Sequence, residues 1–189
     1  MSTPEVHTVL RSADDKMKKA AAVTHDDLNR IRTGRASPSF VESLMVDAYG
    51  TQTPLNQLAS INVPEPRLLV VQPYDRNIIS AIEKAIMSSD LGVNPSNDGA
   101  VIRLPFPQLT EERRKEMIKV AHHRAEEGRV AVRNVRRHSK DELEKLQKDG
   151  KISEDDLKRA EKDLQKETDA HVEEIDKLLA AKEKELREV

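Results

Sequence analysis

Cysteine and tryptophan are absent from this sequence, and only two tyrosines and two phenylalanines occur among its 189 residues. Without cysteine there is no disulfide scaffold, no thiolate metal ligand and no thiol nucleophile, and a reducing cytosol fits the composition. No stretch stays apolar for the roughly 18 residues that a membrane-crossing helix needs, and no apolar run of signal-peptide type stands at the start. The first helical pattern begins within a few residues of Met1, so the expectation is a soluble bacterial protein of the cytoplasm with no cleaved leader. A dominant sign of charge is lacking too: 32 Lys+Arg face 34 Asp+Glu, for a net charge of −2. Such a chain is not a basic coat for nucleic acid, and any polyanion site on it has to be local.

The chemistry-bearing motifs are missing as well. There is no Gly-x-x-x-x-Gly-Lys phosphate loop, no Gly-x-Gly-x-x-Gly, no His-Glu-x-x-His and no Gly-x-Ser-x-Gly. The acidic pairs Asp14-Asp15, Asp26-Asp27 and Asp155-Asp156 fall on or at the ends of helical patterns. Neighbouring carboxylates on a helix diverge by about 100° and do not converge on one substrate. His122 and His123 point to different faces, and His171 stands near an apolar seam as a satisfied, partly buried histidine. No catalytic residue, cofactor or metal site is expected.

What is present is a pattern of long helices. Residues 110–149 run for forty positions without proline, after Pro107 and up to Gly150. Thr110 is a natural N-cap, Glu111 and Glu112 suit the positive end of the helix dipole, and Gly150 suits a left-handed C-terminus. Such a helix spans about 60 Å and needs other helices along its length. Ala121, Ala125, Gly128, Val132, Val135, Leu143 and Leu146 form a narrow seam with small residues at its centre. On the other side the spacing places Lys115, Lys119, His122, Arg129, Arg133, Arg136, Arg137 and Lys140. The last five basic residues share one arc in which the sequence reading finds no acid. Two readings compete for that arc, a solvated face and an RNA-backbone contact surface, and the forked guanidinium favours the second.

An earlier seam of Val6, Leu10, Ala13, Met17, Ala20, Thr24, Leu28 and Ile31 predicts a first long helix stopping at Thr33-Gly34. A third begins at Ser153, with Asp156 completing a capping-box variant, and carries Leu157, Ala160, Leu164, Val172, Ile175, Leu179 and Leu186. Between the first two helices the composition changes: eight of nine prolines and all four aromatics lie between Gly34 and Gln108. Residues 44–48, 59–63, 68–72 and 100–104 read as strands, the second and third interrupted by Pro64 and Pro66, and 77–88 as a helix. The four aromatics read as core. The fold class is therefore α+β: an elongated three-helix bundle of residues 1–33 and 108–189 with a small β/α/β domain, 34–107, inserted. The connections 33–37 and 104–108 make a hinge. The whole bundle lacks Phe, Tyr and Trp, so it cannot stack bases and would meet phosphates and the shape of a folded RNA.

Five segments then become familiar: Ile31-Arg-Thr-Gly-Arg-Ala-Ser-Pro38, Gln57-Leu-Ala-Ser-Ile61, Ser89-Asp-Leu-Gly-Val-Asn-Pro95, Leu109-Thr-Glu-Glu-Arg-Arg-Lys115 and Val130-Ala-Val-Arg-Asn-Val-Arg-Arg137. In order and spacing they resemble the bacterial ribosome recycling factors from the first helix to the last. The resemblance implies an L-shaped, two-domain monomer that binds large-subunit rRNA across the aminoacyl and peptidyl positions of the post-termination ribosome. It implies subunit separation with elongation factor G, which uses the GTP, and no membrane association. It also implies rRNA contacts by Arg133 and Arg136, with Arg129 and Arg137 beside them and Lys140 in the same arc, and a hinge at Gly34, Arg35, Pro105 and Pro107. Two other classes fit the residues alone: a coiled-coil-like adaptor docking a protein, and a hydrolase built on the insert.

Overall fold

A computed structural model describes residues 3–188. The chain divides into two compact units, one holding the residues up to Ile31 with Lys115–Glu188, the other Arg32–Arg114.

The first unit is helical. Helix α1 covers Pro4–Asn29, α4 covers Glu111–Lys148 and α5 covers Glu154–Arg187. The expected caps are in place. Thr110 Oγ1 accepts the Arg113 N–H at 3.2 Å. At the other end of α4 the Lys151 and Gly150 N–H groups return to the Leu146 and Gln147 carbonyls at 2.9 and 3.0 Å, a Schellman closure with Gly150 at φ 71°. Ser153 Oγ accepts the Asp156 N–H at 3.0 Å. The Ser153 hydroxyl is the first cause holding the Asp156 carboxyl below its ordinary pKa, and the Ser153 backbone N–H, bonded to the same carboxyl, makes the capping box reciprocal. Helix α1 ends at Asn29, before the Gly34 breaker, with Arg30 N–H still bonded to the Asp26 carbonyl.

The seams are buried largely as spaced. Met17, Ala13 and Leu28 from α1, Ala121, Ala125, Val132 and Leu143 from α4, and Leu164, Ile175 and Leu186 from α5 are at most 2 % exposed. Val135 and Leu146 are only half-buried. Polar residues complete the seam instead: Thr24, Ser139, Thr168 and His171 are all buried. Thr24 and Thr168 donate to carbonyls one turn back on their own helices, at 3.0 and 2.7 Å, so their hydroxyls enter the core satisfied. His171 is satisfied by Asp14 Oδ1 at 2.8 Å and Glu174 Oε2 at 3.3 Å. That contact is the first cause holding the Asp14 carboxyl below its ordinary pKa.

At the middle of α4 the helices pack closely. A Cβ built on Gly128 would overlap Thr24 Oγ1 and lie 3.1 Å from both Thr24 Cβ and Cγ2. Thr24 is buried and tied to Ala20, so it cannot swing away. Gly128→Ala should therefore destabilise the bundle by about 1–3 kcal/mol despite alanine's better helix propensity. Adding Thr24→Ala should recover most of that loss, read as melting temperature in a double-mutant cycle. A single Gly128→Ala variant that melts at or above the parent would mean that α1 and α4 do not approach this closely.

The second unit is built on two antiparallel sheets. Strands β1 (Met45–Ala48) and β2 (Thr51–Pro54) form a hairpin through Tyr49 and Gly50, both at positive φ. A short helix α2, Leu55–Leu58, leads to β3 (Ala59–Glu65), β4 (Leu68–Pro73), α3 (Ile79–Met87), β5 (Ser96–Asn97) and β6 (Ile102–Pro105), in sheet order β3-β4-β6-β5. The elements β2, α2 and β5 are additions to the sequence expectation. Pro64 does not interrupt β3: this is an edge strand, and the register shifts between Asn62 and Glu65, where a residue without an N–H is tolerated. Ile78, Ile79, Ile82 and Ile86 pack with Leu69, Val71, Ile102 and Leu104 in the core of this unit.

The aromatics split two and two. Phe106 is buried and Phe40 half-buried, their ring centroids 5.7 Å apart. Tyr49 and Tyr74 are 74 % and 73 % exposed, which corrects the expectation that all four are core. Tyr49 sits at a hairpin tip, and its phenol donates to Asp75 at the surface. No helix among the described residues is long and apolar enough to cross a membrane.

Candidate nucleic-acid interface

The basic arc of α4 lies beside the seam and not opposite it. Arg129 is four residues after buried Ala125 and three before buried Val132, and Arg136 stands likewise between Val132 and Ser139. Helical neighbours at these spacings share a face. The arc is consequently the flank of α4 next to α5, and α5 supplies partners to it. Arg129 Nε and Nη2 reach Asp176 Oδ1 at 2.7 and 2.6 Å, and Nη1 reaches Glu126 at 3.0 Å. Its side chain is only 18 % exposed. Burial works against the charge, but the hydrogen bonds to Asp176 and Glu126 outweigh it and hold the Arg129 pKa above its ordinary value.

Arg136 Nη1 donates to Gln165 Oε1 at 2.8 Å, and Lys140 Nζ stands 4.0 Å from Glu161. The pairs 129–176, 136–165 and 140–161 step in opposite directions along the chain, as in antiparallel helices. Arg133 is half exposed, 3.4 Å from Glu126. Arg137 is exposed and forms no ion pair among the described residues.

Acids therefore bound the arc, contrary to the sequence reading. Glu126 closes its N-terminal end, Glu144 lies 3.7 Å from Lys140 at the other, and Asp176 and Glu161 reach in from α5. Linear spacing along α4 could not show the two that come from another helix. Arg133, Arg137 and Lys140 remain the most open of the five, Arg136 is held at the α4–α5 edge, and Arg129 is clamped.

The expected hinge residues belong to the second unit. Gly34 is buried with φ 82°, and the Arg35 N–H lies 3.4 Å from Thr33 Oγ1. Pro105 is the last residue of β6, opposite Leu68, and Pro107 is exposed beyond it. The Ala36 N–H donates to the Pro66 carbonyl and the Phe106 N–H to the Arg67 carbonyl, both at 2.7 Å. Both connections thus hang on one turn. Of the four residues, Pro105 is the one fixed in a sheet.

No group of three or more metal-ligating side chains occurs among the described residues. His122 pairs with Glu183 and His123 with Glu127.

Fold and flank define a class: a two-unit α+β protein whose helical unit lacks Phe, Tyr and Trp and carries a basic flank on its central helix. The profile of the family described as ribosome recycling factor matches residues 24–186. The ribosome-recycling factor of Syntrophomonas wolfei subsp. wolfei is 58 % identical over 184 residues, 97 % of this chain and all of that protein. That of Mycobacterium bovis is 54 % identical over the same share of each. A solution structure of the ribosome recycling factor superposes with a TM-score of 0.82 at 45 % identity, covering 99 % of this chain and 100 % of the other. A second solved structure superposes at 0.67 and 46 % identity, covering 96 % and 98 %. It is described as models for the T. thermophilus ribosome recycling factor and the E. coli elongation factor G bound to the E. coli post-termination complex. The chain belongs to the ribosome recycling factor family.

Proposed function

We propose that this protein recycles ribosomes after termination. It binds the post-termination ribosome through large-subunit rRNA across the aminoacyl and peptidyl positions. With elongation factor G and GTP it promotes subunit separation and the release of mRNA and tRNA. The observation that carries this reading is the basic flank of α4, set on a bundle without an aromatic residue, in a chain of this family. Charge-assisted hydrogen bonds from Arg133, Arg136, Arg137 and Lys140 would hold phosphate oxygens, while Arg129 adds field from its clamped position. The bundle, residues 1–33 with 108–189, would act as an rRNA-binding arm and the insert, 34–107, as a movable domain, pivoting at Gly34, Arg35, Pro105 and Pro107. The protein itself would be a monomer of the cytoplasm that catalyses no reaction, GTP being hydrolysed by its partner.

A polysome-breakdown assay with purified ribosomes, elongation factor G and GTP tests the whole. The double variant Arg133→Ala/Arg137→Ala should keep its melting temperature, because both side chains are exposed. Its ribosome affinity should fall at least tenfold, since each lost charge-assisted hydrogen bond costs about 1.5–3 kcal/mol. The slope of log affinity against log salt should flatten by about 2. Unchanged binding at moderate salt would reduce the flank to a solvated face, and salt-insensitive binding would favour a protein-docking adaptor.

A further inference from the structure

A groove runs between α4 and α5 beside the basic flank. It has a volume of about 390 Å³ and is lined by Arg136 and Lys140 from α4 and by Lys158, Glu161, Lys162 and Gln165 from α5, over Leu164. Four cations thus face one carboxylate. That balance runs against the composition of α5, since residues 153–189 hold 8 Lys+Arg and 13 Asp+Glu. Lys158 and Lys162 are four residues apart, one helical turn, and this is the face α5 turns to Arg136 and Lys140. Both lysines are exposed, and neither forms an ion pair among the described residues.

The arginine is aimed without being neutralised. Arg136 Nη1 donates to the neutral Gln165 amide oxygen at 2.8 Å, and the Gln165 amide nitrogen is fixed in turn by Asp169 Oδ1 at 2.8 Å. The remaining guanidinium donors stay available for an anion. The acid in the groove, Glu161, is 4.0 Å from Lys140 and leaves the two α5 lysines unmatched.

We propose that this groove seats the sugar–phosphate backbone of large-subunit rRNA, with Lys158 and Lys162 as phosphate contacts, so that the RNA site has two walls and α5 is the second. Without aromatic residues in the bundle the groove offers bases no ring to stack on, and its cations favour the phosphodiester as the chemistry it holds. The proposal rests on the reading of the α4 flank given above and adds residues on a different helix.

The test uses the full chain and purified large ribosomal subunits. Lys158→Gln/Lys162→Gln is compared with Arg133→Ala/Arg137→Ala and with Lys166→Gln/Lys177→Gln, which removes the same charge from exposed positions of α5 outside the groove. All should melt like the parent. The groove variant should bind about tenfold more weakly in about 0.1 M salt and lose about 2 from the salt slope, while the control variant changes little. An equal loss in the control would mean that only the long-range field matters, and would overturn the groove. Normal binding of the groove variant with weakened Arg133→Ala/Arg137→Ala would overturn the groove and leave the flank standing. Normal binding of all three would remove both readings. Normal binding of the groove variant with lost elongation factor G-dependent splitting would assign the groove to a protein partner, and also overturn it.

Discussion

Val132→Asp should unfold the bundle. Val132 is 0 % exposed at the centre of α4, four residues after the close approach at Gly128. Losing the valine removes about 1.5–3 kcal/mol of burial. The carboxylate that replaces it costs several kcal/mol more, because it points into the apolar seam while the nearest cations, Arg129 and Arg136, are held at the seam's edge by Asp176 and Gln165. A domain with about 5–15 kcal/mol of total stability does not survive both losses comfortably. The expected result is loss of most helical circular dichroism at 25 °C, or a melting temperature lowered by well over about 10 °C. Val135→Asp is the matched comparison. Val135 is half-buried, so its carboxylate can turn to water and the cost should be only about 1–2 kcal/mol. If the two variants melt alike, the phase of α4 is wrong; if Val132→Asp leaves the melting temperature unmoved, so is the seam.

The second large effect concerns work, not stability. The natural chain has no cysteine, so an engineered pair, one cysteine in each unit, can be oxidised without competing thiols. Pairs that close under mild oxidation and open under mild reduction are taken forward. We expect the oxidised protein to bind ribosomes close to normally, because Arg133 and Arg137 lie on the bundle far along α4 from Glu111. Subunit splitting with elongation factor G should fall nearly to background and return on reduction. That pattern would tie splitting to rotation of the insert about the segments near Gly34 and Pro107. Full splitting by demonstrably oxidised protein would remove rotation from the mechanism while leaving the RNA contacts untouched.

The helices could be read from the sequence because their determinants are local. Thr110, Ser153 and Gly150 act within one turn of themselves, and the seam spacing of Met17, Ala125, Val132 and Leu164 is a property of each helix alone. The neighbour of a residue is a different kind of fact. The acids Asp176 and Glu161, which neutralise part of the arc, are far from Arg129 and Lys140 in sequence and meet them only because α5 packs beside α4. The arc lies beside the seam because Arg129 and Arg136 each stand three or four residues from two buried positions, which puts them at the seam's edge. Thr24 and His171 could be placed at the seams by spacing, whereas buried Ser139 and Thr168 look like surface residues to any hydropathy rule. Of the bonds that satisfy these side chains, those of Thr24 and Thr168 are local, and the Asp14 partner of His171 is visible only in three dimensions. In the insert, Pro64 reads as a break until the strand is known to be an edge.

The partition of aromatic residues also makes the protein its own two-channel instrument. The two tyrosines, which dominate its intrinsic fluorescence in the absence of tryptophan, are both exposed in the insert. The far-ultraviolet ellipticity is dominated by α1, α4 and α5, whose 26, 38 and 34 residues lie almost wholly in the other unit. Tyrosine emission and anisotropy therefore follow one unit, while ellipticity at 222 nm follows the other. A single unlabelled sample, heated or titrated, reveals whether the two melt together, and in which order if they do not.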